Sequence, residues 1–242
     1  MGNRIFLSAL GKSIAGRFAQ FGADCSRLMA GIVILVAATG IFAAIAANVM
    51  DGGAITVLDI KLARWFHANA TIGLTRVMLG LSYIHNVAGI FALTMLLGFY
   101  LFRRQAWFWL TSLLVVVPSG MLANVLLKYT FGRARPSFTD PILTLATFSF
   151  PSGHVASATL FYGMLTAYLV SRTRDWRMRG ALVAAGALMV ALVALSRLYL
   201  GVHYFSDVLA ALAESCAWLA LCLAVCSSLR LYRSRSMTGE KF

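Results

Sequence analysis

Acidic residues are scarce in this sequence, and charge of either sign is low. Only 12% of the 242 residues are charged, and 8 Asp and Glu stand against 21 Lys and Arg. A soluble domain of this size carries about twice that charged fraction. The composition therefore excludes an ordinary soluble domain and directs attention to the apolar stretches of the chain.

Cysteine is also scarce, with four residues in the whole chain. Cys25 stands alone, whereas Cys216, Cys222 and Cys226 all fall in one apolar run near the C-terminus. Because no second cluster supplies partner thiols or further ligands, this distribution argues against a disulfide framework and against a structural zinc site.

Apolar residues are abundant: 60% of the chain is hydrophobic, and the mean hydropathy is +0.82. A helix needs about 20 apolar residues to cross a bilayer. Six runs come near this length, namely 29–49, 84–102, 106–127, 154–170, 181–198 and 208–229. The sequence therefore predicts an all-α fold, a polytopic membrane protein whose single domain, 29–229, is a bundle of six transmembrane helices.

The net charge of +13 would suit a nucleic-acid-binding protein, but the positions of the charges indicate another cause. With six spans and a cytoplasmic N-terminus, 14 of the 21 Lys and Arg lie in cytoplasmic segments and 7 lie outside. This asymmetry is the positive-inside bias of membrane proteins. It predicts that both termini are cytoplasmic, and it explains the basic charge without a nucleic-acid partner.

The two ends of the chain flank this domain on the cytoplasmic side. Apolar residues recur every four positions in the N-terminal segment, 1–28, at Phe6, Leu10, Ile14 and Phe18. With basic residues between them, they predict an amphipathic helix on the inner membrane surface, while Gly11 and Gly16 leave an irregular tail as the alternative. Lys12 interrupts any signal-peptide core. Residues 230–242 are predicted to be a basic cytoplasmic tail.

Titratable residues gather in three short segments of an otherwise apolar chain. These segments are KYTFGRARP at 128–136, PSGH at 151–154 and SRLYLGVHYFSD at 196–207. The first ends the third apolar run, the second opens the fourth, and the third joins the fifth to the sixth. All three are therefore predicted at the outer face of the membrane, where they can converge into one site.

The chemistry of these segments suits a multiply charged oxyanion, most simply a phosphate. They contribute three cations, Lys128, Arg135 and Arg197. Pro151 and Ser152 look like a helix start, whose free N–H groups bind anions, and Gly153 allows a ligand close to the backbone. Arginine holds oxyanions by paired N–H groups, and lysine adds a compact charge.

Two histidines and one carboxylate complete the predicted site. His203 and Asp207 are four residues apart, so on a helix they share a face, and the carboxylate can orient the imidazole as a nucleophile. His154 has no nearby acid in sequence and suits proton donation to the leaving oxygen. Asp207 is the only acid within these segments, and Asp140 lies in the loop that follows the first of them. No carboxylate cage is therefore expected, and the prediction includes neither a metal nor a cofactor.

These residues resemble the type 2 phosphatidic acid phosphatase family, the lipid phosphate phosphatases. Three motifs carry the likeness: Lys128 followed after six residues by Arg135-Pro136; Pro151-Ser152-Gly153-His154; and Ser196-Arg197, five residues, His203, three residues and Asp207. The resemblance covers roughly 29–229. It implies metal-independent dephosphorylation through a phosphohistidine, with His203 as nucleophile, His154 as acid and Asp207 orienting His203. Phosphate would be bound by Lys128, Arg135, Ser152, Gly153 and Arg197.

The predicted partner is a membrane lipid phosphate, handled in a bacterial inner membrane at an extracytoplasmic site. Undecaprenyl diphosphate is favoured, since an outward-facing site is where spent carrier lipid would arise. Phosphatidylglycerol phosphate, phosphatidic acid and lipid A phosphates are the alternatives. Oligomeric state is not readable from the sequence.

Two other functions compete with lipid dephosphorylation. A vanadium-dependent haloperoxidase shares the phosphate-site residues, but those enzymes are typically soluble. A non-catalytic lipid-binding or lipid-translocating protein would not need an oriented histidine.

Four residues and one helix outside the motifs also receive predictions. Arg133 is expected to be exposed, His67 and His85 interfacial, and Glu214 paired within the bundle. Residues 51–83 contain an apolar helical face, which predicts an interfacial helix anchored by Trp65 and, as an alternative, the border of a lateral lipid entrance. The face consists of Leu58, Leu62, Trp65 and Phe66.

Overall fold

The computed structural model describes residues 28–237, with side chains up to residue 229. Within these residues the chain forms eight α-helices and no strand. They are α1 (Leu28–Met50), α2 (Ala54–Ala68), α3 (Ile72–Ile84), α4 (Val87–Arg103), α5 (Trp107–Phe131), α6 (Gly153–Arg172), α7 (Trp176–Tyr199) and α8 (Phe205–Met237). The predicted N-terminal segment falls outside the described residues except for Leu28, and α8 continues into the predicted C-terminal tail.

The number of membrane spans agrees only approximately with the predicted six. Four helices, α1, α5, α7 and α8, are long and apolar enough to cross a membrane, and α3 with α4 is a fifth if this pair, bent by 55°, is one span. The helix that falls short is α6, whose first half is almost entirely buried, including the polar side chains of Ser157 and Thr159. A helix shielded by its neighbours does not need the lipid-compatible surface of an outer span.

The hydrophobic core lies around α6, which packs against α5, α7 and α8. Leu113 and Val116 of α5 meet Leu160, Phe161 and Met164 of α6 in one buried cluster. Helix association inside a membrane depends on such close packing, because lipid tails are as apolar as the side chains. The central position of α6 fixes its N-terminus between the ends of α5, α7 and α8.

Two left-handed glycines end the helices that carry the predicted motifs. Gly132 caps α5 with φ 58°, and Gly201 follows α7 with φ 67°. A side chain on either residue would be strained in this conformation. The first turn starts the loop 132–152 that returns to α6, and the second turns the chain into α8. The three motif segments consequently lie at one end of the bundle.

Residues 51–83 form two helices, α2 and α3. On α2 the apolar face predicted for the membrane interface is exposed at Leu58 and Trp65, whereas Asp59 and Ala63 on the other side are buried. The buried side of α2 packs against α7 and α8, next to the motif segments.

Candidate active site

The loop 132–152 folds back over the end of α5, where Lys128 holds it. The Nζ atom of Lys128 donates to the carbonyl oxygen of Phe148 at 2.9 Å and to that of Ser149 at 3.4 Å. On its other side Lys128 adjoins the start of α6: a Cβ on Gly153 would lie 3.5 Å from the Lys128 Cε atom and 3.3 Å from Asn124 Oδ1. Glycine at 153 keeps this junction open.

Arg135 is fixed by backbone carbonyls and points toward His203. Its Nε donates to Thr147 O at 2.6 Å and its Nη1 to Val202 O at 2.6 Å, while Nη2 donates to Phe148 O at 3.0 Å. The same Nη1 lies 3.2 Å from His203 Nε2. The guanidinium thus joins the first predicted motif to the third and places a cation beside the imidazole.

His203 lies in the turn between α7 and α8 and is almost fully buried. Its Nδ1 faces Asp207 Oδ2 at 3.4 Å, so a proton on Nδ1 leaves Nε2 with its lone pair. Burial lowers the pKa of His203 to about 3, although the Asp207 carboxylate opposes this effect. The imidazole is therefore neutral at neutral pH, as a nitrogen nucleophile must be.

Two of the predicted phosphate ligands carry buried polar atoms with no hydrogen-bond partner among the described residues. Arg197 is fully buried; its Nη1 donates to Ser82 Oγ, while Nε and Nη2 are unpaired. The hydroxyl of Ser152, at the start of α6, is likewise buried and unpaired. Buried donors without a partner are rare and costly, and a ligand that accepts hydrogen bonds would satisfy them.

The N-terminus of α6 meets α8 in the same region. The backbone N–H of Ser152 donates to the carbonyl oxygen of Asp207 at 3.1 Å. This contact places the start of α6, with its free first-turn N–H groups, next to the residue of α8 that pairs with His203. His154, the second residue of α6, is half-buried and lies within electrostatic reach of Arg197, His203 and Arg135.

Sequence reasoning missed the side chains that hold Asp207. Arg133 was expected to be exposed; this is wrong, since its side chain is only 14% exposed and donates to Asp207 Oδ1 at 2.6 Å and to Asp59 Oδ2 at 2.8 Å. Ser149 Oγ donates to Asp207 Oδ2 at 2.8 Å. The available signal was Asp59 itself, an acid on a helix whose other charged residues are basic and whose remaining residues are mostly apolar, because such a carboxylate needs a partner.

The other predicted polar residues have mixed outcomes. His85 is buried, with Nδ1 near Leu81 O and Nε2 2.9 Å from Tyr162 Oη, so its interfacial assignment is wrong. His67 is half-buried and lies 3.0 Å from Asp140 Oδ1. Glu214 is paired as predicted, since it accepts from Asn124 Nδ2 at 3.0 Å.

No group of three or more His, Cys, Asp or Glu residues in the described part of the chain is arranged to hold a metal ion. The polar groups that converge at this end of the bundle are mainly donors: Lys128, Arg135, Arg197 and the start of α6. Such an arrangement can bind an oxyanion beside a neutral imidazole.

Comparison with known proteins identifies a family and several relatives. The model of the PAP2 superfamily matches residues 108–230. Phosphatidylglycerophosphatase B from Bacillus subtilis (strain 168) is 34% identical over 139 residues, which are 56% of this chain and 67% of the relative. A lipid A 1-phosphatase from Rhizobium johnstonii is 37% identical over 119 residues, 46% of this chain and 44% of the relative.

A solved structure shares the fold over most of its length. The crystal structure of a transmembrane PAP2-type phosphatidylglycerolphosphate phosphatase from Bacillus subtilis superposes with a TM-score of 0.73 at 26% identity. The match covers 81% of this chain and 96% of that chain. The helical bundle described above therefore has the same fold as that solved structure.

Proposed function

Because the chain belongs to the PAP2 superfamily, we propose that it is an integral membrane phosphatase that removes the terminal phosphate of a membrane lipid through a phosphohistidine. One observation carries the proposal. Arg197 and Ser152 present buried, unpaired donors at the end of the bundle where a neutral His203 lies against Asp207. A terminal phosphate bound to these donors would satisfy them within reach of the imidazole.

The proposed reaction has two steps. His203 Nε2 attacks phosphorus, the bond to the leaving oxygen breaks, and His154 protonates that oxygen. A water molecule, deprotonated by His154, then cleaves the N–P bond and releases inorganic phosphate. Asp207 accepts the hydrogen bond from His203 Nδ1 throughout.

The binding residues serve the transition state of both steps. Lys128, Arg135, Arg197, the hydroxyl of Ser152 and the backbone N–H of Gly153 stabilise the charge on the equatorial oxygens, a role that a metal ion fills in other phosphoryl transferases.

The two rival functions fit the observations less well. A haloperoxidase would hold vanadate at the same donors, but those enzymes are typically soluble, whereas this chain has several helices long and apolar enough to cross a membrane. The superfamily relatives named above are lipid phosphatases. A lipid-binding or lipid-translocating protein would not require the buried contact between His203 and Asp207. Both rivals remain distinguishable by assay.

Two substrates have separate support. Undecaprenyl diphosphate is our first choice, because its leaving group is a phosphate, which needs less protonation by His154 than an alkoxide does. Phosphatidylglycerol phosphate is the second, because the Bacillus subtilis relative and the Bacillus subtilis crystal structure described above are both named for it. The headgroup of either lipid can reach a site at the membrane surface while its hydrocarbon chains stay in the bilayer. Extracting the chains into water would cost about 0.8 kcal/mol for each CH₂.

Phosphate release by the purified protein tests the proposal. With chelator present, we expect release from membrane lipids and poor release from water-soluble esters, with competitive inhibition by vanadate. Undecaprenyl diphosphate should give a higher kcat/KM than phosphatidylglycerol phosphate or phosphatidic acid.

Three outcomes would count against parts of this account. Activity that vanishes in chelator and returns with magnesium would overturn the metal-free phosphate site. A preference for a lipid monophosphate would replace the diphosphate with the second candidate. Halide oxidation with vanadate, without phosphate release, would favour the haloperoxidase.

We further propose that the site faces away from the cytoplasm of a bacterial inner membrane, with both termini inside. The support is the charge asymmetry of the sequence. In a variant lacking Cys25 and the three cysteines of α8, the exposed Thr139 and Ser171 are replaced singly by cysteine. An impermeant thiol reagent applied to intact cells should label Thr139→Cys and spare Ser171→Cys until the cells are lysed. The opposite labelling would reverse the topology.

A further inference from the structure

A second buried carboxylate lies behind Asp207. Asp59 of α2 has no exposed surface; it accepts from the backbone N–H of Ser206 at 2.8 Å, from the Ser206 hydroxyl and from Arg133 Nη2 at 2.8 Å. The other terminal nitrogen of Arg133 donates to Asp207 Oδ1 at 2.6 Å. One guanidinium therefore bridges two fully buried carboxylates that come from different ends of the chain.

This bridge determines how Asp207 presents its oxygens. Arg133 occupies Oδ1, which leaves Oδ2 for the side facing His203. The same Oδ2 accepts from Tyr204 N and from Ser149 Oγ, each at 2.8 Å. Without Arg133, the carboxylate could rotate about its Cβ–Cγ bond, since the remaining donors all lie on one oxygen.

The charges of the three groups also matter. Arg133 alone would offset the charge of Asp207 and weaken its attraction for the proton on His203 Nδ1. Asp59 supplies a second negative charge, so the three groups together keep a net charge of −1 beside the imidazole. Arg133 is held in place further by the ring of Tyr204, whose centroid lies 4.3 Å from the guanidinium carbon.

We propose that Asp59 and Arg133 are positioning residues for the nucleophile: through Asp207 they fix the ring of His203 and keep the carboxylate negative as His203 gains positive charge. The inference rests on the proposed role of His203. It extends the site to α2, whose other face carries Trp65 and Leu58 on the exposed surface. The interfacial helix is thereby part of the catalytic apparatus.

Asp59 and Arg133 would make the same hydrogen bonds if their only role were to hold α2 against the bundle. The two roles differ in what they do to ligands. Orientation of His203 matters for vanadate, which mimics the transition state when the imidazole approaches it axially, and matters little for inorganic phosphate, which binds as a ground-state product. A fastening role would affect both ligands, or neither.

The experiment compares Asp59→Asn, Arg133→Lys and the double variant with two matched controls. These are Asp51→Asn, in the turn between α1 and α2, and Arg64→Lys, on α2; both side chains are exposed. For each full-length protein we measure kcat, KM and the inhibition constants of vanadate and phosphate. Wild-type turnover is measured first, so that failure of the proposed function is seen separately.

We expect each site variant to lower kcat about 10- to 100-fold, the usual range for groups that orient a catalytic ligand, with KM nearly unchanged. The vanadate inhibition constant should rise about tenfold and that of phosphate stay within about twofold. Because Asp59 and Arg133 act on the same carboxylate, the loss of kcat in the double variant should be smaller than the product of the two single losses.

Two results would overturn the inference in an active wild-type enzyme. One is a kcat for Asp59→Asn equal to that of Asp51→Asn. The other is a parallel rise in the vanadate and phosphate inhibition constants, which would indicate a fastening role.

Discussion

Replacing His203 by glutamine is expected to lower kcat by at least about 10⁴-fold, since loss of a nucleophile removes the covalent route altogether. Glutamine is of similar size and can still accept from Arg135, so the pocket should persist. The phosphate inhibition constant of His203→Gln should therefore remain close to that of the wild type. Steady-state turnover and phosphate inhibition together check this expectation.

His154→Gln is the informative comparison for this variant. General acid catalysis contributes about 10²- to 10⁴-fold, and its value falls as the leaving group improves. His154→Gln should therefore lose more of its kcat with phosphatidylglycerol phosphate than with undecaprenyl diphosphate. His203→Gln should lose the same fraction of its kcat with both substrates. If His203→Gln kept measurable turnover while His154→Gln had none, the two roles would have to be exchanged.

Replacing Arg197 by methionine is expected to abolish activity and to stabilise the protein without ligand. Arg197 is fully buried and has no carboxylate within ion-pair distance among the described residues, so its charge costs free energy that phosphate recovers on binding. Each lost oxyanion donor typically reduces kcat about 10²- to 10³-fold. An apolar side chain of similar length should raise Tm by about 2–10 °C, from a gain of about 1–3 kcal/mol.

Steady-state turnover measures the expected loss of activity, and thermal unfolding in detergent, with and without phosphate, measures the expected gain in stability. Phosphate should raise the Tm of the wild type, because a ligand that binds only the folded state stabilises it, and should leave Arg197→Met unchanged. Arg76→Met, on α3 and outside the site, is the matched control. A lower Tm for Arg197→Met, with the phosphate effect intact, would assign Arg197 a purely structural role.

Much of the fold could be predicted from the sequence, and the reasons are local. Apolar runs of membrane length mark α1, α5, α7 and α8 directly. The three motif segments lie at the ends of such runs, so counting spans was enough to place Lys128, Ser152 and His203 at one end. The predicted count of six spans was only approximate, because α6 is less apolar than a helix that faces lipid. It is surrounded by other helices and carries buried hydroxyl groups.

The support of the site could not be predicted in the same way. Arg133 and Asp59 are 74 residues apart, and their pairing depends on how α2 docks against the turn before α8. Asp59 has Lys61 and Arg64 as near neighbours in sequence, which favours a solvated helix face over a buried carboxylate. The unpaired donors of Arg197 likewise follow from packing around α7, which no spacing pattern encodes.

The central claim is that phosphate passes through His203. In the most direct measurement, wild-type enzyme is mixed with a lipid labelled in its terminal phosphate, and the reaction is quenched in alkali within one turnover. Alkali preserves phosphohistidine, so the labelled residue can be located by peptide mass spectrometry. The account predicts phosphate on the imidazole of His203, formed no more slowly than turnover, and none in His203→Gln. Label on His154, or full turnover with stereochemical inversion at phosphorus and no labelled protein, would contradict it.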